Sequence, residues 1–85
     1  MKHYADPAFW DCYHNLQKSI QELADKNFDL LKTHPQHPSL HLKKIKKYYS
    51  VRVGKKHRAL GIQSEEGDTV WFWIGTHAEY DKLIK

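Results

Sequence analysis

The chain has 85 residues, 14 Lys and Arg against 10 Asp and Glu, and a formal net charge of +4. No stretch approaches the roughly 20 apolar residues that cross a bilayer, and residues 1–7 lack the apolar core of a signal peptide, so we expect no membrane partner. The single cysteine, Cys12, cannot form an internal disulfide, which makes the cytoplasm the expected compartment. The length predicts one domain over residues 1–85.

The positive charge is concentrated in the middle of the chain. Residues 1–29 carry three basic and five acidic side chains, residues 30–64 carry nine basic and no acidic ones, and residues 65–85 carry two and five. Such a block creates a positive potential that attracts polyanions. Nucleic acid or an acidic protein is therefore the favoured partner, and the alternative is a lysine-rich sheet edge protected against aggregation.

The first third of the chain has the pattern of helices. Asp6-Pro7 is typical of a helix start. Apolar residues then recur at steps of three and four until Pro35 and Pro38 end the pattern. These apolar residues are Phe9, Tyr13, Leu16, Ile20, Leu23, Ala24, Phe28 and Leu31. A candidate capping box at Ser19-x-x-Glu22 would divide the region into two helices, with a break near residues 15–18.

The remainder has the pattern of a small antiparallel sheet. Runs rich in β-branched and aromatic residues predict strands at 48–53, 58–63 and 69–75, with 40–45 as a candidate edge strand. Val51 and Val53 alternate with Ser50 and Arg52, so one face should pack on the helices and the other should carry charge. The run at 70–74 is apolar throughout, which favours a central strand covered on both faces.

A capping box at Thr76-x-x-Glu79 predicts a short terminal helix over residues 78–84. The predicted fold class is therefore α+β. An N-terminal helical hairpin or long helix packs on an antiparallel sheet of three to four strands, and a short helix follows. The helices cover one sheet face and leave the other open and basic.

His77 is the first candidate for catalysis, because it lies where a predicted strand meets the first turn of a helix. A helix N-terminus attracts anions and disfavours a protonated imidazole. A neutral histidine beside phosphate-binding groups would suit general acid–base chemistry. The alternative is an ordinary polar residue in a first helical turn.

Arginines and lysines supply the candidate phosphate contacts. A guanidinium can bind a phosphate through two parallel hydrogen bonds, and Arg58 or Arg52 could stabilise charge that builds there. The alternative is an ion pair, for Arg58 with one of the acidic residues at 65, 66 or 68. The lysines expected to bind nucleic-acid backbone are Lys43, Lys44, Lys46, Lys47, Lys55 and Lys56.

Histidines and aromatic residues give weaker signals. His34, His37 and His41 are spaced closely enough for zinc. Two prolines interrupt them and no cysteine or carboxylate completes the set, so we expect RNA or solvent contacts and neither metal nor cofactor. Aromatic rings could stack on bases. Trp71 and Trp73 are expected in the core, whereas Tyr80 is expected to be exposed near His77.

Residues 38–45, 49–54, 57–60 and 71–81, taken in order, resemble the RelE/ParE superfamily of toxins from bacterial type II toxin–antitoxin systems. The resemblance extends over residues 7–83 and is strongest to the RelE- and YafQ-like mRNA interferases. It implies an α+β toxin that is neutralised by a cognate antitoxin protein. For many members it implies a ribosome-dependent endoribonuclease that cuts mRNA, inhibits translation and arrests growth.

The resemblance also implies residue roles. Residues 75–78 are similar to a YafQ-like motif with a catalytic His, which places that role on His77. His37 is similar to a second active-site His, and Arg58 matches an Arg used at the scissile phosphate. The implied reaction is attack of a ribose 2′-hydroxyl on the adjacent phosphate, with His77 as acid or base, assisted by His37 or Tyr80 and without metal.

One departure from the family concerns the N-terminus. Most members begin with a strand, and only about six residues precede Pro7 here, so the sheet is expected to lack that strand or to receive an edge from a partner. Two alternative functions remain open. One is a ParE-type inhibitor of DNA gyrase, a branch that generally lacks a terminal-motif His. The other is a non-catalytic nucleic-acid-binding or decayed toxin.

Overall fold

The computed structural model describes residues 2–85, which form three helices and one five-stranded mixed sheet. The elements are β1 (His3–Ala5), α1 (Pro7–His14), α2 (Lys18–Thr33), β2 (Lys43–Ile45), β3 (Tyr48–Val53), β4 (His57–Gln63), β5 (Thr69–Thr76) and α3 (His77–Leu83). The strand order is β1-β5-β4-β3-β2. The predicted α+β class is confirmed, with more strands than expected. No helix in this part of the chain is long and apolar enough to cross a bilayer.

The N-terminal strand that the sequence led us to doubt is present. β1 pairs in parallel with β5, with His3 opposite Thr69 and Ala5 opposite Trp71. The amide of Asp6 donates to the carbonyl of Trp71 at 3.0 Å, which continues the pairing to the start of α1. The expectation of a missing strand was therefore wrong. Three residues are too few to show the alternating pattern by which a strand is recognised in a sequence. All other strand pairs are antiparallel.

The two N-terminal helices begin for different reasons. The Asp6 carboxylate accepts a hydrogen bond from the Phe9 amide at 3.1 Å and caps α1. The predicted break is confirmed, because α1 ends at His14 and α2 starts at Lys18. The predicted capping box is wrong: Gln17 is the N-cap residue without a side-chain bond, and Ser19 lies inside α2.

The core lies between these helices and one face of the sheet. Its buried members are Phe9, Ala24, Leu31, Leu40, Val51, Val53, Ala59, Trp71 and Ile74. The predicted inward direction of Val51 and Val53 is therefore confirmed. We call the opposite face, which α1 and α2 do not cover, the open face. The Asn27 side chain donates to the Arg52 carbonyl at 3.0 Å and ties α2 to β3.

A register shift explains the unbroken apolar run in β5. Leu60 pairs with Trp73 and Gly61 pairs with Trp71, so Phe72 is the extra residue of a β-bulge. Trp71 and Ile74 can therefore both enter the core although they are three residues apart. Phe72 and Trp73 are only half-buried. The prediction that β5 is a central strand is confirmed, because it lies between β1 and β4 and no residue of the run at 70–74 is exposed.

The edge strand β2 is shorter than predicted. Leu40 is fully buried, and its carbonyl accepts from the Arg52 amide at 2.7 Å. His41 then adopts a φ of 47°, which interrupts extended backbone, so the regular pairing begins only at Lys43. The bond between Leu40 and Arg52 joins the connection between α2 and β2 to the end of β3.

Candidate active site and nucleic-acid interface

Two arginines lie side by side on the open face. Arg52 in β3 pairs directly with Arg58 in β4, and Arg58 pairs with Gly75 in β5. Because directly opposed residues share a face and Val51 and Val53 point into the core, both guanidinium side chains lie on the open face. Gly75 precedes the junction between β5 and α3, so the arginines lie at the end of the sheet where α3 begins.

His77 is the first residue of α3, as the sequence predicted to within one position. Its amide donates to the Lys56 carbonyl at 2.8 Å, which attaches the start of α3 to the β3–β4 turn. Its Nδ1 lies 3.2 Å from a carboxylate oxygen of Asp81, and the two side chains are 48% and 51% exposed. Within residues 2–85, no hydrogen bond involves its Nε2. That nitrogen is therefore accessible to a ligand.

Arg58 is held by the same turn. Its Nη1 donates to the His57 carbonyl at 2.7 Å, with longer contacts to the carbonyls of Gly54 and Lys55 at 3.5 and 3.4 Å. Burial lowers the pKa of Arg58, and the positive charge of Arg52 lowers that pKa further. No acidic residue of the described chain pairs with Arg58, so the ion-pair alternative, with an acidic residue at 65, 66 or 68, is wrong.

Arg52 is partly buried and incompletely bonded. Its Nε is buried without a hydrogen-bond partner. Like charges directly opposite each other across strands are destabilising, and a buried donor without an acceptor also costs free energy. An anion bound between Arg52 and Arg58 would relieve the charge repulsion. Phosphate suits this site because guanidinium groups bind it through parallel hydrogen bonds.

Tyr80 lies near His77, with ring centroids 6.0 Å apart, but its expected exposure was wrong. Only 4% of Tyr80 is exposed, and its hydroxyl accepts a hydrogen bond from Ser50 Oγ at 2.9 Å. Tyr80 lies three residues after His77, on the face of α3 that packs against the sheet. Tyr80 therefore docks α3 on the open face, so its ring is not presented to solvent.

The hydrogen bonds of His37 within the described residues are all local. His37 is exposed in the connection between α2 and β2, where its Nδ1 accepts from the Ser39 amide at 3.2 Å and lies 2.8 Å from Ser39 Oγ. No hydrogen bond or ring contact in the described part of the chain joins it to His77. Among residues 2–85, no three His, Cys, Asp or Glu side chains are arranged to hold a metal ion.

The basic block divides into an edge strand and two turns, and all six of its lysines are exposed. Lys43 pairs with Ser50 and so faces the open side, whereas Lys44 pairs with Tyr49 and faces the other side. Lys46, with a φ of 56°, and Lys47 form the β2–β3 turn. The lysines at 55 and 56 occupy the β3–β4 turn, beside His77 and Arg58.

Sequence reasoning missed two contributors to this site. Asp81 was not considered, although its position four residues after His77 on a predicted helix was a usable signal. Trp73 was assigned to the core with Trp71. Trp71 is indeed 2% exposed, but Trp73 packs over Gly75, whose Cβ would lie 2.5 Å from the Trp73 ring. The bulge in β5 causes this difference, and it leaves no trace in the sequence pattern.

No protein-family model matches the chain, and no curated protein sequence matches it. Solved structures do match. The YoeB/ParE toxin from Agrobacterium tumefaciens aligns with a TM-score of 0.67 at 18% identity, over 91% of this chain and 99% of that one. The RelB–RelE antitoxin–toxin complex from Methanococcus jannaschii aligns with a TM-score of 0.72 at 14% identity, over 96% and 99%.

The isolated RelE toxin from E. coli aligns with a TM-score of 0.63 at 14% identity, over 99% of this chain and 98% of that one. The alignment with this toxin therefore extends over nearly the whole chain. At these identities the likeness concerns backbone architecture. The chain has the fold of the RelE and YoeB/ParE toxins.

Proposed function

We propose that this protein is the toxin of a type II toxin–antitoxin system and cleaves mRNA on the ribosome. The observation that carries the proposal is the placement of His77, with an accessible Nε2, beside the arginine pair on the open face. The His77 amide and the Arg58 side chain both bond to carbonyl groups of the β3–β4 turn, which supports placing the two residues in one site. An acid–base group next to a phosphate site is the minimum requirement for RNA cleavage without metal.

The proposed reaction is an internal displacement at phosphorus. The ribose 2′-oxygen forms a bond to the adjacent phosphorus, and its proton passes to a general base. The bond from phosphorus to the 5′-oxygen breaks, and the leaving oxygen takes a proton from water or from a general acid. The products are a 2′,3′-cyclic phosphate and a 5′-hydroxyl. His77 exchanges a proton in this step, and Arg58 and Arg52 stabilise the negative charge on the phosphate oxygens.

The lysines extend the phosphate-binding surface beyond the reacting group. Lys55 and Lys56 lie next to the site in the β3–β4 turn, and Lys43 lies on the same face at the sheet edge. Lysine side chains bind phosphate as mobile point charges and give affinity without sequence preference. We propose that they hold the mRNA backbone while His77 and the arginines act on one phosphate.

We also propose a cognate antitoxin as partner. The RelB–RelE complex from Methanococcus jannaschii is one structure with the same fold. The basic open face favours a partner with an acidic or amphipathic segment, whose association should weaken as salt screens the charges at the rim. A complex insensitive to salt would contradict this electrostatic part of the proposal.

The test of the nuclease is primer extension on a defined mRNA translated in a purified system, with and without ribosomes. Wild-type protein, His77→Ala and His14→Ala are compared, because His14 is an exposed histidine at the end of α1. We expect ribosome-dependent cuts with wild-type protein and with His14→Ala, because α1 packs on the core face of the sheet through Phe9, and none with His77→Ala. Absence of cuts under every condition contradicts the proposal, and a DNA supercoiling assay then tests inhibition of gyrase.

A further inference from the structure

The His77 ring has a carboxylate on one side only. Asp81 lies four residues further along α3, and its Oδ2 is 3.2 Å from His77 Nδ1. Positions i and i+4 are neighbours on a helix surface, so the regular backbone of α3 brings the two side chains together. The opposite ring nitrogen, Nε2, has no partner within residues 2–85. The two nitrogens of this imidazole are therefore in different environments.

An ionised carboxylate only accepts hydrogen bonds, and a neutral imidazole has one nitrogen that donates and one that accepts. Which nitrogen carries the proton is set by the partner of the other. The Asp81 carboxylate thus favours the proton on Nδ1, and the lone pair of the neutral ring is left on Nε2. When Nε2 takes a second proton, the same carboxylate lies next to the positive ring and stabilises it.

We propose that Asp81 is a positioning residue, which holds His77 in the Nδ1–H tautomer and makes Nε2 the base that receives the 2′-hydroxyl proton. The second half of this inference rests on the proposed nuclease function. The first half concerns only the protonation state and orientation of the ring. Asp81 acts through His77 and is not placed on the RNA.

Other charged groups around the start of α3 do not replace Asp81. The Glu79 carboxylate is engaged by Thr76, accepting from its amide at 3.0 Å and lying 2.9 Å from its hydroxyl. The side chains of Lys56, Arg58 and Lys82 are cationic and cannot accept a proton from Nδ1–H. The Tyr80 hydroxyl is bonded to Ser50. Asp81 is the acceptor that the described residues offer to Nδ1.

The first experiment reads the tautomer directly. Two-bond ¹H–¹⁵N correlation spectra of the ¹⁵N-labelled chain distinguish a protonated Nδ1 from a protonated Nε2. They are recorded at about pH 8, where an ordinary imidazole is neutral. We expect His77 to show a predominantly protonated Nδ1 in wild-type protein and to lose that preference in Asp81→Ala. Glu65→Ala removes the same charge from an exposed turn and should leave the His77 spectrum unchanged.

A half-exposed i,i+4 pair adds little to stability, so Asp81→Ala should remain folded. Asp81→Glu, which can still reach Nδ1 from a longer side chain, should partly restore the Nδ1–H preference. If the tautomer in Asp81→Ala is the same as in wild-type protein, the inference is overturned, whatever the cleavage assay gives.

The second experiment measures cleavage and tests whether Asp81 acts through His77. Single-turnover rates are compared for wild-type protein, Asp81→Ala, His77→Ala and the double variant. We expect Asp81→Ala to lower the rate by about tenfold or more, a part of the roughly 10²- to 10⁴-fold that an acid–base group contributes. In the His77→Ala background the same substitution should have no further effect, because the two residues form one unit.

Additive losses in the double variant overturn the positioning role. A different outcome is that the His77 tautomer depends on Asp81 while His77→Ala still cleaves RNA at the full rate. It contradicts the proposed role of His77 in cleavage and leaves the assignment of the Nδ1–H tautomer standing. The two experiments therefore separate failure of this inference from failure of the proposed function.

Discussion

Arg52 lies directly opposite Arg58 across β3 and β4, and neither guanidinium has a carboxylate partner within residues 2–85. Folding has therefore placed two positive charges side by side, and one of them has a buried Nε without an acceptor. Both features cost stability, and an anion bound between the two guanidinium groups would offset their repulsion. The arginine pair is thus a site where ligand binding and folding stability are expected to conflict.

Arg52→Met should therefore stabilise the free protein and weaken RNA binding. Removing the cross-strand repulsion and the unsatisfied donor should raise the free energy of unfolding by about 0.5–1 kcal/mol. Urea denaturation measures the first effect, and RNA titration measures the second. Lys43→Met, an exposed change on the same face, serves as the control for a lost charge. A destabilised Arg52→Met with unchanged RNA affinity would show that Arg52 serves the fold alone.

Tyr80→Phe tests whether Tyr80 docks α3 or takes part in the reaction. The substitution leaves the ring in place and removes the acceptor for the buried Ser50 hydroxyl, so it should destabilise the chain by about 1 kcal/mol. If docking is the whole role, cleavage by folded Tyr80→Phe should equal that of wild-type protein. A large fall in the single-turnover rate, with α3 still docked by NMR, would instead indicate that the hydroxyl acts on the RNA.

The N-cap of α3 should be required for both stability and cleavage. The Thr76 hydroxyl accepts from the Glu79 amide at 3.2 Å, while the Glu79 carboxylate accepts from the Thr76 amide. Thr76→Ala should cost about 1 kcal/mol and should loosen the first turn, which carries His77. Thr76→Ser keeps the hydroxyl and should behave as wild type. Thermal unfolding and cleavage rates together measure the two effects.

We expect the folded protein to lose stability in weak acid because of His3. Its Nδ1 accepts from the Trp71 indole at 3.2 Å, and burial lowers its pKa from the ordinary value of 6.5. A histidine with a lowered pKa binds protons more readily in the unfolded chain, so stability falls as pH drops from 6.5 through the lowered value. Urea unfolding at pH 7.5 and at a series of lower pH values measures this loss.

His3→Gln cannot titrate in this window and should lose less stability on acidification than wild-type protein does. His34→Gln, at an exposed histidine after α2, should keep the pH dependence of wild type. Parallel curves for wild-type protein and His3→Gln would show that the His3 contact with Trp71 does not respond to pH.

The lysines of the β3–β4 turn should determine the salt dependence of RNA binding. If Lys55 and Lys56 each contact one phosphate, each alanine substitution should reduce the slope of log affinity against log salt by about 0.7. Lys26→Ala, on the exposed surface of α2, should leave the slope unchanged. Equal slopes for all variants would place the RNA away from this turn.

Local signals in the sequence were sufficient for much of this fold. Asp6 and Thr76 cap helices through bonds to residues three positions away, and such bonds can be inferred from spacing. β1 could not be inferred, because His3 to Ala5 become a strand only through pairing with β5. Tertiary context of this kind leaves no periodic pattern in three residues.

The candidate site was predicted unevenly for the same reason. The position of His77 could be predicted because a strand pattern is followed directly by a capped helix. The position of Arg58 could be predicted because it comes directly after a turn, at the start of a strand. The burial of Tyr80 depends on Ser50, which is 30 residues away along the chain. Whether His37 contacts His77 depends on the path of the connection between α2 and β2. Neither contact can be derived from residue spacing within one element.

The parallel pairing of β1 with β5 constrains the order in which the protein folds. The Lys2 amide donates to the Asp68 carboxylate, 66 residues later in the chain. Trp71, a buried core residue of β5, comes later still. During synthesis the N-terminal strand has no partner until β5 has left the ribosome. The finished sheet therefore forms late, and interactions of such high contact order make folding slow relative to a helical chain of this size. Until then, the apolar side of α1, which packs on β5, has no strand to cover it and is exposed to aggregation.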